Sequence, residues 1–215
     1  YVIEKTCRIP VEPILASEFR YSEPVLGDDT LVIIISQSGE TADTLAATRS
    51  ATSLGARTLA IVNVVGSAIS KAASDVIYTW AGPEIAVATT KAYSTQLSVM
   101  YLISLYMAQT LGTLLPEQYD AMVKALVELP DQMEKMLTPE YLEEIRVLAE
   151  QYKEHHDVFF IGRNVDSATC LEGSLKLKEI AYVHSEAYAA GELKHGPISL
   201  IEDNTLVVAL ATVQE

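Results

Sequence analysis

Five short runs of the chain, at 30–35, 58–65, 76–80, 158–161 and 205–211, are apolar almost without interruption and rich in β-branched residues. Runs that do not alternate with polar positions predict strands covered on both faces. Helical patterns at 41–54 and 67–73 separate the first three, and Gly55 stands where a helix of that length takes its C-terminal cap. Strands alternating with helices predict parallel sheets joined by right-handed crossovers, an α/β layered fold. Residues 116–153, rich in Glu, Leu and Met and carrying Pro130 and Pro139, read as connecting helices with polar faces. The chain thus divides into 1–115, a 116–153 connection, and 154–215. Residues 92–115 hold no charged side chain and are long enough to suggest a membrane span. Ser94, Thr95, Gln96, Ser98, Ser104, Gln109 and Thr110 interrupt them, which predicts a helix buried between domains and no membrane partner.

An internal repeat organises these elements. VHSEAYAAGEL from Val183 matches IPVEPILASEF from Ile9 at an offset of 174 residues, pairing Glu186 with Glu12, Ala190 with Ala16 and Glu192 with Glu18. DNTLVVALA from Asp203 matches DDTLVIIIS from Asp28 at an offset of 175. Two copies of one unit are implied. The strand and helix start that copy two takes from 157–174 map before Tyr1 in copy one, and copy two stops at the counterpart of Glu40, so both copies are expected to be truncated.

The net charge of −14 excludes broad attraction to nucleic acid or an anionic membrane, so an anionic ligand must be held by local donors. Screening over about 8 Å at physiological salt lets such a cluster act despite distant carboxylates. Cys7 and Cys170 lie far apart in no CxxC or Cys/His spacing, as expected of reduced thiols in a cytoplasmic protein.

One turn concentrates the chemistry. After the strand at 30–35 come Ser36, Gln37, Ser38, Gly39, Glu40 and Thr41, and then a helix. A strand, a hydroxyl-rich turn and a helix N-terminus is the arrangement in which unpaired backbone N–H groups and the helix dipole receive a phosphate. Ser36, Ser38 and Thr41 offer hydroxyls, Gln37 an amide, and Gly39 close backbone approach. The plainer reading is that Ser38 or Thr41 merely caps the helix, worth about 1 kcal/mol. Glu40 is an awkward neighbour for an anion and is expected to point away. Copy two has Ala211, Thr212, Val213, Gln214 and Glu215 at the matching positions, without the serines or the glycine, so one copy alone is expected to bind phosphate.

A second constellation lies in copy two. On a helix Glu172, Lys176 and Glu179 fall on one stripe at spacings of four and three, with His184 and His195 following. A carboxylate, an ammonium and an imidazole suit aldose/ketose interconversion, in which a proton moves between adjacent carbons and a general acid opens the ring. An exposed ion pair and a turn histidine would give the same pattern. His155, His156, His184 and His195 have no metal-ligand spacing, so neither a metal nor a cofactor is expected.

SQSGETADTL (from Ser36), AIVNVVGS (from Ala60), GPEIAVATTKAY (from Gly82), LEGSLKLKEIAY (from Leu171) and EAYAAGELKHGP (from Glu186) closely resemble the isomerase region of glutamine–fructose-6-phosphate aminotransferases. That region consists of two tandem sugar isomerase (SIS) domains, each a three-layer αβα fold of the flavodoxin or Rossmann kind. The resemblance implies that Ser36, Gln37, Ser38 and Thr41 hold the phosphate of fructose 6-phosphate or glucosamine 6-phosphate. It implies that Val87 contacts the sugar through its backbone, with Thr89 where many members carry Ser. Glu179 would shuttle the proton between C1 and C2 of a fructosimine, with Lys176 balancing its charge. His195 would assist ring opening from the neighbouring subunit of a homodimer. The family's glutaminase domain, an N-terminal sugar-binding Ser and a C-terminal imine-forming lysine have no counterpart among these residues, so ligand binding with little isomerisation is expected of them alone. Alternatives are a non-catalytic phosphosugar sensor, which needs the phosphate turn but no base, and a purely structural dimerisation module.

Overall fold

In a computed structural model, residues 1–212 form two compact units that divide after Leu126. Unit 1 contains α1 (Val2–Cys7), α2 (Ala16–Phe19), β1 (Leu31–Ser36), α3 (Ala42–Ser53), β2 (Arg57–Val62), α4 (Ala68–Ala72), β3 (Asp75–Tyr78) and α5 (Thr90–Leu111). α6 (Pro116–Met136) runs across the division. Unit 2 continues with α7 (Pro139–Tyr152), β4 (Asp157–Gly162), α8 (Val165–Ala181), β5 (His184–Ala189) and β6 (Leu206–Ala209), with two short 3₁₀ turns, Leu193–His195 and Pro197–Leu200, before β6. All five apolar runs became strands, each end within three residues of its expected place. The expected α/β class with parallel sheets is what forms.

In unit 1 the strands lie in the order β1-β2-β3, all parallel, with Ile34 beside Ala60 and Ile35 beside Ile61. Alternate positions divide between two helical layers, because successive side chains of a strand point to opposite faces. Ile34, Ala60 and Val62 pack with Ile69 of α4 and Leu45 of α3. Ile33, Leu59, Ile61 and Ile77 pack with Val99 and Ile103 of α5. Both faces are therefore covered, which is why these strands read as unbroken apolar runs. α5, which carries most of the uncharged stretch after Lys91, packs against the sheet of its own unit and against α1, where Thr6 Oγ1 and Ser104 Oγ meet at 2.5 Å and the Thr113 hydroxyl donates to Thr6 O at 2.6 Å. No helix among the described residues is long and apolar enough to cross a membrane.

Unit 2 has the order β5-β4-β6, again parallel, with α8 lying along β4 and β5. β5 was not foreseen as a strand. Its copy-one counterpart forms none: Pro10 and Pro13, opposite His184 and Ala187 in the repeat, have no N–H for a ladder. Cys7 and Cys170 are both buried and unbridged. α7 begins with Thr138 at its N-cap, accepting a hydrogen bond from Tyr141 N at 3.2 Å, and Pro139 in its first turn.

The turn from β4 into α8 is tight. A Cβ on Gly162 would lie 2.6 Å from the Asp166 carbonyl carbon and 2.8 Å from Ser167 N, both backbone atoms that cannot swing aside. Gly162→Ala is expected to destabilise unit 2 by about 1–3 kcal/mol, the usual cost of overpacking. A drop in the denaturant midpoint, followed by circular dichroism, checks this.

Candidate functional site

The hydroxyl-rich turn runs from the end of β1 to the start of α3 and is shaped by its own short-range bonds. Ser36 Oγ, buried, accepts from Gly39 N at 3.0 Å, and Ser38 Oγ accepts from Glu40 N at 3.2 Å. Gly39 is left-handed, φ 67°, and Ser67 of the next connection fills the space a Cβ would need. Gly39 O then accepts from Ile69 N at 2.9 Å. Glu40 does turn away: its Oε1 accepts from Ala68 N at 2.9 Å, so the carboxylate caps the start of α4. Thr41 occupies the N-cap of α3 without a side-chain cap bond. The plainer reading therefore fails, since Ser38 serves the turn and Thr41 caps nothing. The first-turn N–H groups of α3 and the exposed Thr41 hydroxyl face one end of a helix whose dipole favours an anion.

The loop leaving β3 lies at the same edge of the sheet, because all three strands are parallel and end there. That carboxyl edge is where open α/β sheets take ligands. Val87, 82% exposed, and Thr89, left-handed at φ 56° as the N-cap of α5, belong to it. The Thr89 hydroxyl donates to Val87 O at 2.9 Å, and Lys91 donates to Pro83 O, which fixes the loop's curve. Val87 O keeps a second lone pair for a further donor.

In unit 2 the predicted stripe on α8 closes into a cluster. Lys176 Nζ lies 2.6 Å from Glu179 Oε2 and 3.5 Å from Glu172 Oε1, and their side chains are 20%, 30% and 23% exposed. The hydrogen bond to Glu179 raises the Lys176 pKa above the ordinary lysine value, against the opposing effect of burial. Lys176 is thus a fixed cation beside two carboxylates at neutral pH. His195 closes the first 3₁₀ turn, exposed, and its ring makes no hydrogen bond or ion pair among the described residues. His184 pairs with Asp157 at 2.8 Å, where β4 and β5 begin. Burial pushes the Cys170 thiol up, which disqualifies it as a nucleophile.

Sequence reasoning missed Asp166. Buried in the first turn of α8, it accepts from Thr212 N at 2.8 Å and from the Thr212 hydroxyl at 2.5 Å. Thr212 is the repeat counterpart of Gln37, so unit 2 meets the end of its β1-like strand with a carboxylate of its own. The remaining positions of that comparison, Val213, Gln214 and Glu215, lie outside the described residues.

The family model described as the SIS domain matches residues 1–106 and 151–215. The chain belongs to the SIS domain family. Among curated proteins this SIS chain is 59% identical, over its whole length, to the glutamine–fructose-6-phosphate aminotransferase [isomerizing] of Clostridium tetani, and 55% identical over 99% of its length to that of Clostridium acetobutylicum. It spans 35% and 34% of those relatives, about a third of their length. Among solved structures, the C-terminal domain of glucosamine-fructose-6-phosphate aminotransferase from Francisella tularensis superposes with a TM-score of 0.95 at 36% identity, covering all of this chain and 60% of that one. The two matched stretches are consistent with the expected two-domain arrangement.

Proposed function

We propose that this SIS chain is the sugar-phosphate isomerase portion of a glutamine–fructose-6-phosphate aminotransferase, converting fructose 6-phosphate and glutamine-derived ammonia to glucosamine 6-phosphate. The observation that carries the reading is the turn after β1, whose Thr41 hydroxyl is uncommitted at a helix N-terminus and whose one carboxylate, Glu40, is turned onto α4. Ser36, Gln37, Ser38 and Thr41 hold the phosphate, and Val87 O, bent into place by Thr89, takes a sugar hydroxyl. Glu179 moves the proton between C1 and C2 of the fructosimine, held in place by its hydrogen bond from Lys176, while His195 serves ring opening across a homodimer. The reaction moves a proton and leaves oxidation state unchanged, so these side chains need no cofactor. The same reading assigns residues 1–115 and 154–215 to two SIS domains, 116–153 to their connection, a glutaminase domain to the longer protein, and the cytoplasm as location. The half-buried ion pair around Glu179 favours an isomerase over a phosphosugar sensor, which needs no base.

Calorimetric titration tests the turn. Fructose 6-phosphate and glucosamine 6-phosphate are expected to bind, and unphosphorylated fructose is not. Ser38→Ala is expected to weaken the sugar phosphates by about 10- to 100-fold, the worth of a hydrogen bond to a charged group. Equal affinity for phosphorylated and unphosphorylated sugar would overturn the assignment.

A further inference from the structure

Asn63, the residue after β2, joins the two loops of the unit 1 site. Its backbone N–H donates to Gln37 O at 3.0 Å, in the phosphate turn. Its side chain makes three bonds to the chain leaving β3: Oδ1 accepts from the Thr79 hydroxyl at 3.0 Å and from Ala81 N at 2.9 Å, and Nδ2 donates to Gly82 O at 2.8 Å. Between Thr79 and Ala81 stands Trp80, left-handed at φ 54° and 78% exposed. A bulky residue in that conformation is strained and persists only where its surroundings dictate it. Here the surroundings are the bonds from Asn63 to both of its neighbours. The main chain of Asn63 thus grips one loop and its amide the other.

We propose that Asn63 is a positioning residue that sets the spacing between the phosphate turn and the 82–89 loop, so that the site recognises phosphate and sugar together. This rests on the reading of 36–41 as a phosphate site and of the Val87 carbonyl as a sugar contact. The division of labour within Asn63 gives a signature that general destabilisation would not. Truncating the side chain releases the loop after β3 but leaves the bond from Asn63 N to Gln37 O, so phosphate alone should still bind. Only the added affinity contributed by the sugar should be lost.

The test titrates the whole chain and its Asn63→Ala, Asn63→Asp and Thr79→Val variants with fructose 6-phosphate and with inorganic phosphate, alongside thermal unfolding. Trp80, the one tryptophan of the sequence, reports the loop through its fluorescence anisotropy without ligand. Asn63→Ala should lower affinity for fructose 6-phosphate by about 10- to 100-fold, as expected for three lost hydrogen bonds, and change phosphate affinity by less than about 3-fold. Asn63→Asp should behave similarly, because its second oxygen faces Gly82 O where an N–H stood. Thr79→Val, isosteric and missing one bond, should show the same pattern at about 3- to 10-fold and secures the test if Asn63→Ala does not fold. Trp80 anisotropy should fall in every variant. Equal weakening of both ligands, or unchanged fructose 6-phosphate affinity in a folded variant, would overturn the proposal. A parent chain that binds neither ligand would refute the phosphate reading itself, and unchanged Trp80 anisotropy would then refute the tether on its own.

Discussion

Glu179→Gln is expected to lower ketose-to-aldose turnover by about 10²- to 10⁴-fold, the usual worth of a positioned acid–base group, and to leave the affinity for sugar phosphate within a few-fold. Gln keeps the size of Glu and can still accept from Lys176, so the contact made at 2.6 Å is not simply deleted. What disappears is the ability to take a proton from one carbon and return it to the next. Glu172, 3.5 Å from the same ammonium, continues to balance Lys176, and the stability cost should stay near the 0–1 kcal/mol of partly exposed pairs. The rate is to be measured on the sequence set within the full length of its relatives, with binding measured on the same protein. A loss confined to kcat supports a base at Glu179. Unchanged turnover would remove Glu179 from the mechanism, and a protein that binds sugar phosphate but never turns it over would favour the sensor reading.

The second large effect is expected at Gly39. An added Cβ would lie 2.1 Å from Ser67 Oγ and 2.6 Å from Ser67 Cβ, at φ 67°. The left-handed backbone costs about 1–2 kcal/mol for a residue with a Cβ, and the collision about 1–3 kcal/mol more. Gly39 is also where the turn bonds to Ile69 N, so the strain falls on the frame of the proposed phosphate site. Gly39→Ala should therefore abolish measurable phosphate binding and lower the unfolding temperature together. Ser67→Gly as a second change removes the collision but not the backbone strain. Because the Ser67 hydroxyl, though buried, has no hydrogen-bond partner among the described residues, its loss costs little by itself. The double variant should regain part of the stability and binding, and a double variant no better than Gly39→Ala would show that backbone strain, not Ser67, sets the cost.

The residues of the site legible in the sequence are those whose partners are near in sequence. Ser36, Ser38 and Gly39 bond within four residues, and Glu172, Lys176 and Glu179 meet at helical spacing, so a linear pattern carries both clusters. Asn63 reaches back to Gln37 and forward to Gly82, and Asp166 reaches Thr212, contacts that exist only once the sheet has aligned its strand ends. β5 escaped for a different reason. Its inward Ser185 is 1% exposed and satisfied by Ser174, a polar pair where the rule for buried strands expects apolar residues.

Asp166 gives one strand end of unit 2 an anion of its own. On the repeat alignment, the strand end that carries the proposed phosphate turn in unit 1 corresponds to one in unit 2 whose Thr212 already bonds a carboxylate of the same polypeptide. A group held in place by the backbone competes at a very high effective concentration, far above that of any dissolved phosphate. Thr212 is in this sense self-liganded: the anion it binds arrives with folding and cannot diffuse away. Saturation of this chain by a phosphosugar should therefore follow a single class of site, despite a sequence that carries the unit twice.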